Sequence, residues 1–110
     1  MRTQFDKLVR DDIPAIIGRS GRACAVEILD DDQFRAAVLT KLVEEATEAA
    51  EAAPGDLLAE LADVAEVLDA ALGAHGFTRA ELDAEQERRR LERGAFAKRL
   101  RLVWTDDRAC

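Results

Sequence analysis

The sequence predicts a mainly α domain, an antiparallel helix bundle carrying a small two-stranded sheet formed by the segments 23–29 and 100–104. Three observations predict it. Apolar residues recur at helical spacing along residues 34–52 and again along 57–72. Pro54-Gly55-Asp56 lies between these segments and is short enough to turn the second back on the first. The outlying segments show strand character instead, with Cys24, Val26 and Ile28 on one face and Leu100, Leu102 and Trp104 alternating with Arg101 and Val103.

The elements follow in order. Residues 12–17 (DIPAII) form a short helix, with Pro14 suited to a first turn and Gly18 as its stop. After the strand at 23–29, the run DDD at 30–32 supplies an N-cap and favourable first-turn charge to a helix reaching about Ala53. Asp56 is placed to cap the next helix, Leu57 to Leu72, which ends near Gly73 and Gly76. Thr78 and Glu81 have the spacing of a capping box for a third long helix, with Phe77 and Leu82 at staple positions and Gly94 as its stop.

Composition narrows the function. A chain of 110 residues is one compact domain, 1–110. A formal net charge of −7 argues against a general binder of nucleic acid or membrane surfaces. The N-terminal MRTQFDKLVR lacks the apolar stretch of a signal peptide, and Cys24 and Cys110 have no CxxC spacing. The expectation is a cytoplasmic protein with two reduced thiols. Charge is segregated: residues 44–66 hold eight acids and no Lys or Arg, whereas 88–101 hold Arg88, Arg89, Arg90, Arg93, Lys98, Arg99 and Arg101 against Glu92 alone. Such a chain can bind a metal and an anion side by side, or pair its two segments within one chain or across a dimer.

The acids have a direction. At about 100° per residue, Val38, Leu39, Leu42, Val43, Ala46, Ala49 and Ala50 occupy one arc of the first long helix. Glu44, Glu45, Glu48 and Glu51 occupy the next arc, with Lys41 among them and Glu45 on the border. In the second helix the apolar arc is Leu57, Leu61, Val64, Val67, Leu68 and Ala71; Glu60 falls inside it and Asp63 about 60° away. Glu66 and Asp69 point elsewhere, as surface acids do. Antiparallel packing of the two arcs brings Glu45 and Glu48 towards Glu60 and Asp63. A carboxylate on a core-facing stripe is costly unless it is paired or metal-bound. With no Lys or Arg inside 44–66, the alternatives are a divalent ion or a basic side chain from elsewhere in the fold. An all-oxygen donor set suits Mg²⁺ or Mn²⁺ rather than Zn²⁺.

EEATE at 44–48 followed by ELAD at 60–63 resembles the EExxE…ExxD pattern of the MazG-like all-α nucleoside triphosphate pyrophosphohydrolases, a superfamily that includes phosphoribosyl-ATP pyrophosphohydrolase. FDKLVRDDIP at 5–14 and LERGAFAKRLRL at 91–102 resemble the KLVRDKIP opening and the RGxF-containing tail of its small house-cleaning branch. The resemblance therefore touches both ends and the centre of the chain. Asp12 departs from it, standing where the branch commonly has Lys.

The resemblance implies a MazG-like bundle that hydrolyses a nucleoside triphosphate, in the house-cleaning branch a non-canonical one, to the monophosphate and pyrophosphate. It implies Mg²⁺ held by Glu45, Glu48, Glu60 and Asp63, with Glu44 and Glu45 as the catalytic pair and Glu44 assisting a further metal or orienting the attacking water. It points also to a homodimer, which the scarcity of apolar positions in residues 78–93 beyond Leu82 and Leu91 independently suggests. A triphosphate approaching acidic helices needs basic partners. Lys7, Arg10, Arg93 and Lys98, in or beside the end motifs, are the candidates. Arg88, Arg89, Arg90, Arg99 and Arg101 are expected to face solvent, Phe96 and Trp104 to pack in the core, and His75 to sit in a surface turn. Two other readings stay open: a non-catalytic helical dimer that binds nucleotide or protein, and phosphoribosyl-ATP hydrolysis.

Overall fold

A computed structural model describes residues 1–107. Cys110 lies outside them, and Cys24 is exposed with a free thiol. The chain forms two compact units, the first Met1–Arg79 and the second beginning at Ala80. Helices are the only regular elements among the described residues: α1 (Ile13–Arg19), α2 (Asp31–Glu51), α3 (Leu57–Ala74) and α4 (Arg79–Arg93).

The first unit is organised by α2 and α3, which pack against each other. Asp30 starts α2 with a reciprocal capping box: its Oδ1 accepts from Gln33 N–H at 2.8 Å, and Gln33 Oε1 accepts from Asp30 N–H at 3.0 Å. Asp31 and Asp32 then place negative charge on the first turn, where the helix dipole favours it. The hydroxyls of Thr40 and Thr47 donate back to the carbonyls of Ala36 and Val43, so neither interrupts the helix. Asp56 takes the N-cap position of α3 but with αR backbone angles, and its side chain makes no capping bond, contrary to the sequence expectation.

Helix ends depend on backbone geometry. At the end of α3, Phe77 N–H reaches Leu72 O at 2.9 Å and Gly76 N–H reaches Gly73 O, with Gly76 at φ 76°. This is a Schellman stop, whose left-handed residue favours glycine. The end of α1 repeats it around Gly21, at φ 85°, with Arg22 N–H on Ile17 O and Gly21 N–H on Gly18 O. Gly18, the expected stop, lies inside the helix.

Little of the first unit is closed off from water. Val38 is fully buried, and Ala71 and Glu45 are the other buried side chains among the described residues. Of the predicted apolar arcs, Leu39, Val43, Leu57 and Leu61 remain exposed, as does neighbouring Leu58. The α2–α3 contact thus covers one seam of each arc and leaves the flank open.

The predicted sheet is absent: the described residues contain no strand. Val26 and Ile28 are exposed in one segment, and Leu100, Leu102, Val103 and Trp104 in the other. A strand exists only where a second strand accepts its backbone hydrogen bonds. Neither segment has a pairing partner within its own unit, so alternation alone does not make a sheet. In the second unit, α4 holds its charges in ion pairs along its own surface, Arg88 with Glu85 and Glu92 and Arg90 with Glu87. Phe96 and Trp104, expected in the core, are exposed.

Candidate metal centre

Glu45 is the hub of the site. It follows Val38 by two helical turns on the same stripe of α2, so the stripe that buries the valine buries the carboxylate as well. Only 8% of the residue is exposed. Its carboxylate belongs to two overlapping triads: Glu44, Glu45 and Glu48 within α2, and Glu45, Glu60 and Asp63 across α2 and α3. In each triad one oxygen per residue lies within 4.8 Å of the others. The four ligands predicted from sequence are thus joined through Glu45, as two triads rather than one ring. Positions 45 on one side of the break and 60–63 on the other are placed to meet when α3 turns back antiparallel.

Two oxygens here have no hydrogen-bond partner although they are buried, Glu45 Oε2 and Glu60 Oε2. A buried charged oxygen without a partner is strongly unfavourable. The site does contain cations. Arg10 Nη2 meets Asp63 Oδ1 at 2.6 Å, and Lys7 Nζ meets Glu44 Oε1 at 3.4 Å. Lys41 Nζ bridges Glu44 and Glu45 at 3.2 and 3.3 Å. Residues 44–66 contain no base, so none of these pairs arises within that segment. The pairs come instead from the N-terminal segment and from one turn upstream in α2. The role of Lys41 was missed, although its i, i+3 and i, i+4 spacing to Glu44 and Glu45 is a sequence signal.

These cations divide the acids into two groups. Partial burial pushes the Glu44 carboxyl up, but hydrogen bonds and charge from Lys41 and Lys7 outweigh it and hold Glu44 below its ordinary value. Glu48 is pushed up, chiefly because its protonated form can donate a hydrogen bond to the neighbouring Glu45 carboxylate. The charge on Glu45, partial desolvation, and the charges on Glu60 and Glu44 add to that. A group whose folded pKa is raised costs the folded state stability once pH exceeds its unfolded value. Glu48→Gln is therefore expected to raise the melting temperature of the metal-free protein at pH 7. The difference should vanish as pH falls below the ordinary glutamate range, where both states are protonated. A pH series of thermal melts checks this, and a Glu48→Gln that melts lower at pH 7 contradicts it.

The donor set fits a hard divalent cation: five carboxylates, no His or Cys among them, three counter-cations, and two buried oxygens still unpartnered. No family model, characterised protein or solved structure matches this chain. The chemistry therefore rests on its own residues.

The remaining site candidates fall into two places. Lys7 and Arg10 lie at the acids, and a cleft of about 280 Å³ lined by Asp6, Lys7, Thr40, Lys41 and Glu44 opens there. Arg93 and Lys98 share a separate cleft of about 410 Å³ in the second unit, with Phe96 and Arg99 in its wall. His75, expected in a surface turn, caps the C-terminus of α3 and is half-buried, with Nε2 unpartnered. The described helices include none long and apolar enough to cross a membrane.

Proposed function

We propose that this chain is a MazG-like, Mg²⁺-dependent pyrophosphohydrolase that converts a nucleoside triphosphate, non-canonical in the house-cleaning manner, to its monophosphate and pyrophosphate in the cytoplasm. The observation that carries the proposal is the pair of buried, unpartnered oxygens, Glu45 Oε2 and Glu60 Oε2, within the second carboxylate triad. A purely structural charge cluster would be expected to complete its own pairing. The motif resemblance at residues 5–14, 44–48, 60–63 and 91–102 supplies the reaction class.

Glu45, Glu48, Glu60 and Asp63 would hold the ion. When bound, Mg²⁺ (Mn²⁺ substituting) supplies Lewis-acid neutralisation of phosphate charge and acidifies water. The chain's residues do the rest. Glu44, paired with Lys7, is suited to orient a water and accept its proton. Lys7 and Arg10, which pair with Glu44 and Asp63 in the ion-free chain, are proposed to turn to the phosphates of a bound triphosphate. Water oxygen bonds to the α-phosphorus, the bridging bond to the β-phosphate breaks, and pyrophosphate leaves with those electrons. Arg93 and Lys98 are proposed to bind phosphate as well.

The same reading includes a homodimer. Leu39 and Val43 on α2 and Leu57, Leu58 and Leu61 on α3 are exposed apolar side chains that a second copy would cover.

Incubation with a panel of ordinary and modified nucleoside triphosphates plus Mg²⁺, followed by assay of pyrophosphate, tests the reaction. At least one member is expected to yield monophosphate and pyrophosphate in equal amounts, with none formed in EDTA. A well-folded protein that releases pyrophosphate from no member refutes it.

A further inference from the structure

We propose that Lys41 is a tethered counter-cation of the acid cluster, occupying the place of positive charge when no divalent ion is bound and withdrawing when one enters. The inference rests on the reading of the cluster as a divalent-cation site, and goes beyond it by giving the cation-free state its own structure. Three observations carry it. The Lys41 ammonium contacts two carboxylates, Glu44 Oε1 at 3.2 Å and Glu45 Oε1 at 3.3 Å. Its side chain is only 12% exposed, against 42% for Lys7 and 54% for Arg10, so it is the inward cation of the three. It also reaches the carboxylate of Glu45, the residue common to both triads.

An ammonium on Glu45 Oε1 and a divalent ion on Oε2 of the same carboxylate repel each other across a few ångströms, so entry of the ion weakens the hold on Lys41. Lys41 belongs to α2 itself, so it leaves by rotating its four-carbon stem, without unfolding anything. The cleft of about 280 Å³ that Lys41 lines together with Lys7 and Thr40 gives the stem room to move. The lysine thus has two effects of opposite sign. It lowers the repulsion among Glu44, Glu45 and Glu48 when the site lacks an ion, and it competes with an ion for Glu45. Affinity for the ion is held below what the carboxylates alone would give, and binding the ion frees a cation beside the cleft.

The probe is Mn²⁺ alone, titrated at pH 8 into the intact wild-type chain and into Lys41→Met, which keeps the aliphatic stem. The free-Mn²⁺ resonance signal reports binding. Lys41→Met is expected to bind Mn²⁺ about tenfold or more tightly than wild type. It is also expected to melt several degrees lower without Mn²⁺ and to gain more from its addition. A second measurement needs no variant: acetylation of Lys41 in the wild-type chain, read by mass spectrometry against Lys98, should rise several-fold on saturation with Mn²⁺.

Wild-type binding with unchanged or weaker affinity in Lys41→Met, or Lys41 acetylation indifferent to Mn²⁺, overturns the counter-cation role while leaving the metal site standing. A wild-type chain that binds no Mn²⁺ overturns both.

Discussion

Glu60→Gln is expected to lower pyrophosphate release on the order of a hundredfold, the usual cost of removing one electrostatic stabiliser of a transition state. It is expected to leave the metal-free melting temperature unchanged or higher. The two halves of this result come from one feature. Glu60 lies on the face of α3 that packs against α2, its Oε2 is buried without a partner, and its charge is part of what pushes Glu48 towards the neutral form. Neutralising it removes repulsion from the cation-free protein and, on the proposed reading, a ligand from the loaded one. Mn²⁺ affinity should fall in parallel with turnover, which separates loss of the ion from loss of a later step. Glu66→Gln, an exposed acid on the same helix, is the control and should change neither. Full activity in Glu60→Gln would show that the second triad is not where the chemistry occurs.

The same residues show how far the sequence could be followed. Both long helices and the meeting of Glu45 with Glu60 and Asp63 were legible, because each follows from a short-range rule: helical periodicity, a Pro-Gly break and a short connection. The stop of α4 at Gly94 was legible for the same reason, and that of α3 only as far as the pair Gly73 and Gly76, of which Gly76 adopts positive φ. Gly18 was mistaken for Gly21 because composition does not say which of two nearby glycines adopts positive φ. The sheet expected from 23–29 and 100–104 is absent, since their pairing would need a contact across the whole chain, for which alternation is no evidence. Arg10 and Lys7 are separated from Asp63 and Glu44 by 53 and 37 residues, so these pairs too lie beyond any local rule. Lys41 is different. Its pairing with Glu44 and Glu45 is a one-turn relation, visible in the sequence although Lys41 stands three residues ahead of the base-free segment 44–66.

Val38→Asp is expected to abolish cooperative folding of the first unit. Val38 is fully buried on the same stripe of α2 as Glu45, and few other side chains there are closed off from water. An uncompensated buried charge costs about 3–5 kcal/mol. Small domains have roughly 5–15 kcal/mol of stability in all, and a unit with so much apolar surface exposed should sit near the lower end of that range. Val38→Ala, which removes only methyl groups, is expected to cost about 1–2 kcal/mol and leave a folded protein. Urea titrations followed by helical circular dichroism, run without divalent ion, compare the two. The comparison also bears on the acids, because the stripe that buries Val38 is the stripe that withdraws Glu45 from water. If Val38→Asp unfolded at the same urea concentration as wild type, the α2–α3 seam would not be the core. Glu45 would then have no reason to be desolvated, and the physical case for a cation among these carboxylates would go with it.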